Sequence, residues 1–124
     1  MTPVKYASYR DIETAVLIWG DARKITSNGK SVGQAKKTVE EANELYAACV
    51  DLAQLTPGSE AHTKVLEEAK DAIGDVLVTL VMCAERLTRE TGQLVDVIQC
   101  FSGAYDEIKH RTGHLNKDGV FVKD

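Results

Sequence analysis

Apolar residues recur along this chain at three- and four-residue intervals in four stretches, the spacing of one face of an α-helix. The first covers about residues 9–25 and stacks Ile12, Val16 and Trp19 with Arg23. Ser27-Asn28-Gly29-Lys30 ends it, because Asn and Gly adopt turn conformations that a helix excludes. The second starts with Ser31 as its expected N-cap, runs to about residue 55, and carries Val39, Ala42, Tyr46, Cys49 and Ala53 in one stripe. Thr56-Pro57-Gly58-Ser59 stops it. The third covers about residues 60–89, and Gly92 separates it from a fourth that carries Leu94, Val97, Ile98, Phe101 and Tyr105 to about residue 111. In the tail, Gly113 and Gly119 flank Leu115-Asn116-Lys117-Asp118, and Val120-Phe121-Val122 predicts a short extended piece packing against a neighbour. The pattern predicts an all-α fold, a four-helix bundle in a single domain over 1–124 with residues 115–124 as a tail.

Composition narrows the partners. With 124 residues the core is modest, and 44% apolar against 27% charged residues fits a folded helical protein. A formal charge of -4 disfavours a nucleic-acid backbone as ligand, yet leaves room for a nucleotide held by a few cations and a metal. The first ten residues contain no apolar leader core, and the longest apolar run, 76–84, is interrupted by Thr79 and too short to span a bilayer. A cytoplasmic protein without membrane contact is therefore expected. Cys49, Cys83 and Cys100 are widely spaced within helical patterns, which predicts buried free thiols rather than disulfides or a cysteine metal site.

The informative chemistry is acidic. Glu41 and Glu44 lie three residues apart on one helical face, with Lys37 a turn earlier. Glu68, Asp71 and Asp75 line up on a face of the third segment. Asp75 sits in Ala72-Ile73-Gly74-Asp75-Val76-Leu77-Val78, a segment apolar nearly all round, which predicts a buried helix. An ionised carboxylate buried there costs several kcal/mol unless paired or bound to metal. Gly74 predicts close approach by another helix or by a substrate. Clustered carboxylates repel unless a divalent cation lies among them, and hard oxygen ligands suit magnesium. The bland readings stand beside this one: Glu41 and Glu44 as an exposed ion-pair face with Lys36 and Lys37, and Asp75 as a core acid hydrogen-bonded to a tyrosine or arginine. The all-apolar third segment also predicts association into a homodimer or homotetramer.

At these residues the sequence resembles a known family. Lys37-Thr38-Val39-Glu40-Glu41-Ala42-Asn43-Glu44-Leu45, followed by Ile73-Gly74-Asp75-Val76-Leu77-Val78-Thr79-Leu80, is similar to the all-α nucleoside triphosphate pyrophosphatases: MazG-like proteins, dimeric dUTPases and phosphoribosyl-ATP pyrophosphatase. Tyr105-Asp106-Glu107-Ile108-Lys109-His110-Arg111-Thr112-Gly113, with Asn116 and Gly119-Val120-Phe121-Val122-Lys123, resembles the ending of small stand-alone MazG-like proteins, many phage-encoded. Trp19-Gly20-Asp21-Ala22-Arg23 and Gln34-Ala35-Lys36-Lys37 fit as well. One departure stands out. The family's ExxD places an acid where this chain has Ala72, while Asp71 lies about 40° around the helix from Asp75, against about 60° for a three-residue spacing.

The resemblance implies magnesium-dependent hydrolysis of a nucleoside triphosphate, ribo- or deoxyribo-, between its α and β phosphates, with manganese as an alternative ion. It implies metal on Glu41, Glu44, Asp71 and Asp75, with Glu68 as the alternative to Asp71 and Glu40 helping to orient the attacking water. Lys37, Lys109 and Arg111 are the expected phosphate contacts, or, for the last two, cations at a helix C-terminus. Trp19 is the expected contact to the base, against a plain core role, and Tyr105 is a further expected substrate contact. The competing readings are a phosphoribosyl-ATP or a dUTP- or dCTP-restricted pyrophosphatase of the same fold, and a non-catalytic helical dimerisation module.

Overall fold

A computed structural model describes Tyr6 and residues 8–124; the rest of the amino-terminal stretch read as lacking a leader lies outside the described residues. The described residues form helices α1 (Tyr9–Ala22), α2 (Ile25–Asn28), α3 (Ser31–Leu52), α4 (Glu60–Thr91) and α5 (Val97–Ile108), then strands β1 (Gly113–Leu115) and β2 (Phe121–Lys123). The chain forms two compact units, Met1–Leu94 and Val95–Asp124. No helix among the described residues is long and apolar enough to cross a membrane.

In the first unit each helix boundary has a local cause. The Ser8 hydroxyl accepts from the Asp11 N–H at the start of α1, and Ser59 does the same for His62 at the start of α4. Gly92 ends α4 at φ 73, the left-handed conformation that favours glycine. The first predicted segment is two helices, because Lys24 at φ 63 turns the chain between α1 and α2. Lys30, not Ser31, takes the cap position of α3. Ser31 instead donates its backbone N–H (2.8 Å) and its hydroxyl to Glu90 near the end of α4. Arg86 completes this clasp, donating from Nη1 to the Thr26 carbonyl (2.6 Å) and pairing through Nη2 with Glu90 (3.6 Å). The hydrogen bonds from Ser31, and then the Arg86 charge, hold the Glu90 carboxyl below its ordinary range.

Helices α3 and α4 pack antiparallel as the predicted hairpin: Ser31 meets Glu90, while Thr38 Oγ1 lies 2.8 Å from Thr79 Oγ1. Their contact rests on small side chains, with Ala48 of α3 and Ala69 and Ala72 of α4 all buried. The face of α3 that packs is Gln34, Thr38, Glu41, Leu45, Ala48 and Leu52. The apolar stripe read from the sequence points the other way: Val39 is 59% exposed, and Tyr46 and Cys49 are exposed too. The expectation of three buried thiols is corrected accordingly, since Cys49 and Cys100 are exposed and only Cys83 is part-buried, its thiol pushed up by burial. The all-round burial expected of α4 fails as well. Ile73 is 51% exposed, with Leu77 and Leu80 also open, because α3, α1 and α2 cover only part of its circumference.

Close approach occurs at Gly20, not at Gly74. A Cβ at Gly20 would collide with the Sδ and Cε of Met82, the most buried large side chain of α4. A Cβ at Gly74 meets nothing within 4 Å.

In the second unit, Asp96 Oδ1 caps α5 by accepting from the Ile98 N–H (2.9 Å). Strands β1 and β2 pair antiparallel with His114 opposite Val122. Asn116 Oδ1 accepts from the N–H groups of Asp118 and Val120, closing the turn, and Gly119 takes φ 75 within it. The extended piece predicted at Val120-Phe121-Val122 thus finds its partner in residues 113–115 of the same chain.

Gly20→Val should destabilise the protein by about 1–3 kcal/mol through overpacking against Met82. Thermal or urea unfolding checks this, and an unchanged midpoint would show that Met82 moves aside without cost.

Candidate functional site

Four helices of the first unit enclose a pocket of about 520 Å³. Trp19 comes from α1 and Ile25 from α2; α3 contributes Gly33, Gln34, Lys37 and Glu41; α4 contributes Asp75, Val78, Thr79 and Met82. Helical spacing explains the α3 wall, since 34, 37 and 41 follow the three-then-four rhythm of one face.

Glu41 is the unusual member. It is only 8% exposed, because it lies on the face of α3 that packs against α4. One carboxylate oxygen lies 3.5 Å from Lys37 Nζ, while the other, Oε2, is buried without a hydrogen-bond partner. Buried polar atoms are nearly always satisfied, so an orphaned carboxylate oxygen at a pocket wall marks a position built for something else. Lys37 is more open, 54% exposed, and also reaches Glu40 at 3.2 Å; Glu40 and then Glu41 push its ammonium pKa up.

Two further acids respond to Glu41. The Glu44 carboxyl, one turn on, is pushed above its ordinary range by its nearness to Glu41, which can hydrogen-bond to its protonated form and whose charge opposes its ionisation. Asp75 is pushed up by partial burial first, then by the charges of Glu41 and Asp71, with Lys37 opposing. The Asp75 side chain is nevertheless exposed, which corrects the expectation of a fully buried acid. These carboxylates feel one another across the α3–α4 pair, yet among the described residues no group of three or more His, Cys, Asp or Glu side chains is gathered to hold a metal ion.

A second groove, of about 750 Å³, runs between α1 and α4. Tyr9 and Glu13 line it from α1, and Lys70, Asp71, Gly74 and Asp75 from α4. Asp75 and Val78 border both spaces. Asp71 therefore sits in this groove and not in the pocket that holds Glu41. Ala72, where the family pattern has an acid, is 3% exposed and belongs to the α3–α4 core, which leaves no room for a carboxylate.

No family model, curated protein or solved structure matches this chain.

Of the residues singled out by sequence, Trp19, Lys37, Glu41 and Asp75 share one pocket, with Glu44 adjoining Glu41. Trp19 is 45% exposed, and the Arg23 guanidinium lies over its ring at 4.5 Å from the centroid. Glu40 points away from the pocket with its side chain half exposed and paired to Lys37, and Glu68 is exposed. Tyr105, Lys109 and Arg111 belong to the second unit, where Lys109 pairs with Asp106 (3.2 Å) and Arg111 with Glu107 (3.9 Å). Sequence reasoning assigned no role to Gln34, Thr79 or Met82. For Gln34 the signal was present, seven residues before Glu41 on the same face. Met82 looked like ordinary core, and Thr79 like an interruption of an apolar run.

A carboxyl with a raised pKa binds its proton more tightly in the folded state than in the unfolded one. Its contribution therefore lowers stability as pH rises through the window above its ordinary value of 3.8. Asp75→Asn, measured without metal, should lose less stability than the unchanged protein as pH rises from about 4. Parallel curves of thermal midpoint against pH would remove Asp75 from the interacting set.

Proposed function

We propose that this protein is a magnesium-dependent nucleoside triphosphate pyrophosphohydrolase, cleaving between the α and β phosphates to release a nucleoside monophosphate and pyrophosphate. The observation that carries the reading is the buried, unpartnered Oε2 of Glu41 at the wall of a pocket that also holds Lys37, Asp75 and Trp19. A hard cation satisfies such an oxygen. Magnesium usually takes one or two carboxylates, keeps waters and completes its shell with substrate phosphates, so a preformed cage of protein ligands is not required. Glu41 and Asp75, which line the same pocket, would offer the one or two carboxylates that such an ion takes, with Glu44 one turn beyond Glu41.

When bound, the ion would supply charge neutralisation and Lewis acidity at the phosphate oxygens. The remaining work falls to the chain's own groups. Lys37 is long and open enough to leave Glu40 for a phosphate, adding positive charge where the substrate is most negative. One of the acids that hold the ion, or Glu40 beside Lys37, would orient the attacking water. Trp19 offers an exposed aromatic face for the base once Arg23 moves aside. Asp71, in the neighbouring groove, acts on the site through the charge it exerts on Asp75.

Pyrophosphate release from a panel of nucleoside triphosphates, with magnesium and with chelator, tests this. Release should vanish with chelator and fall by about 100-fold or more in Glu41→Gln, the scale of losing a charged group at a phosphoryl-transfer centre. Full activity in Glu41→Gln, or magnesium-independent release, would overturn the assignment.

A second reading, a helical association module without catalysis, is favoured by the exposed apolar rows on α3 and α4. Association itself belongs to both readings, because rows such as Val39, Tyr46, Ile73 and Leu77 are stabilised when a second copy covers them. Light scattering should show a homodimer or homotetramer, and a monomer at micromolar concentration would count against it. Calorimetry with magnesium separates the readings, since a pure scaffold gives no binding heat.

A further inference from the structure

We propose that Gln34 reads the edge of the nucleobase and makes this protein selective among bases. The inference rests on the triphosphate reading above and goes beyond it by naming the selecting group.

Gln34 stands one turn before Lys37 and two before Glu41 on the wall that α3 gives to the pocket. Its backbone is committed to the helix: the N–H donates to the Lys30 carbonyl and the carbonyl accepts from Thr38 Oγ1. Gln34 is half-buried, and its side-chain amide, which still meets solvent, has no hydrogen-bond partner among the described residues. Of the other polar groups of the pocket, Lys37 and Thr79 are engaged within the protein, whereas Glu41 Oε2 is not. Lys37 pairs with Glu40 and Glu41, while the Thr79 hydroxyl donates to the Val76 carbonyl and adjoins Thr38. Around the amide the wall is apolar, formed by Trp19, Ile25, Val78 and Met82.

An apolar slot with one neutral amide is how a protein fixes the orientation of a flat heterocycle, because few polar groups then decide what fits. A carboxamide presents a donor beside an acceptor, the complement of a base edge that pairs an amino or imino hydrogen with a ring nitrogen or carbonyl oxygen. The order along the helix suits a nucleotide. Gln34 and Glu41 lie within about 20° of one line and about 10 Å apart along the axis, with Lys37 between them. A base edge at Gln34 thus places the ribose alongside the stretch between Gln34 and Lys37, and the phosphates at Lys37 and Glu41.

The experiment is the pyrophosphate-release panel run on three proteins, the unchanged chain, Gln34→Met and Gln34→Glu, with inorganic tripolyphosphate as a competitor lacking a base. The unchanged protein should rank the bases over about tenfold or more, the scale of one hydrogen-bonded pair in a partly dry site. Gln34→Met should flatten that ranking by raising KM for the preferred nucleotide about tenfold, with kcat altered by less than about twofold. Gln34→Glu, an acceptor-only group, should move the ranking toward guanine, whose N1–H and N2–H donors lie side by side. Inhibition by tripolyphosphate should be the same in all three proteins, a readout that general damage to the pocket would move. A ranking that survives in Gln34→Met, or a flat ranking in the unchanged protein, overturns the assignment of Gln34 while the reaction stands. No release from any nucleotide by the unchanged protein overturns both.

Discussion

The close contact of α3 with α4 is the constraint on which the first unit depends. Three alanines, Ala48, Ala69 and Ala72, bring the two backbones together, and the same contact buries Glu41. Removing a carboxylate from water costs several kcal/mol unless its oxygens are met. One oxygen here has Lys37 at 3.5 Å, and the other has nothing. The charge then spreads outward: Glu44 shares a proton more readily, Asp75 is pushed up, and Lys37 is held between two acids. The helix pair is tight because its alanines are small, and it is electrostatically strained because one of its packing residues is acidic.

The pocket around that acid is set at a distance by a different polar group. The clasp of Arg86, Glu90, Ser31 and the Thr26 carbonyl joins the end of α4 to α2 and to the first residue of α3. It fixes the entry of α3, and with it the direction in which Gln34, Lys37 and Glu41 face. It also holds α2 close enough for Ile25 to line the pocket, while Gly20 lets α1 approach Met82 until Trp19 reaches its edge. The clasp is itself incomplete: Arg86 Nε, like Glu41 Oε2, is buried without a hydrogen-bond partner.

The apolar surfaces tell a related story. α3 turns a mixed face of Gln34, Thr38, Glu41 and Leu45 toward α4 and leaves Val39 and Tyr46 outside, while α4 leaves Ile73, Leu77 and Leu80 open. Within a single copy the more polar face of α3 is the one that packs, an arrangement that burial of apolar area alone would not choose. Under the proposed association, a second copy covering the outer rows would supply the missing driving force.

Much of the helical framework was legible in the sequence. Periodicity located the helices, Thr56-Pro57-Gly58-Ser59 and Gly92 marked their ends, and the spacing of Glu41, Glu44 and Lys37 set them on one face, because helical geometry relates residues three and four apart whatever surrounds them. The sequence by itself therefore determined the all-helical framework and the local order of its charged groups. Only the tertiary structure decided which face of α3 packs, since 39-42-46-49 and 34-38-41-45-48 have the same period and burial depends on the partner helix. It also decided that Glu41 lies deep while Asp75 stays open, that Ser31 bonds across to Glu90 instead of capping its own helix, and that Gly20 is the point of close approach. Each of these is a relation between residues far apart in the chain, which local spacing does not encode.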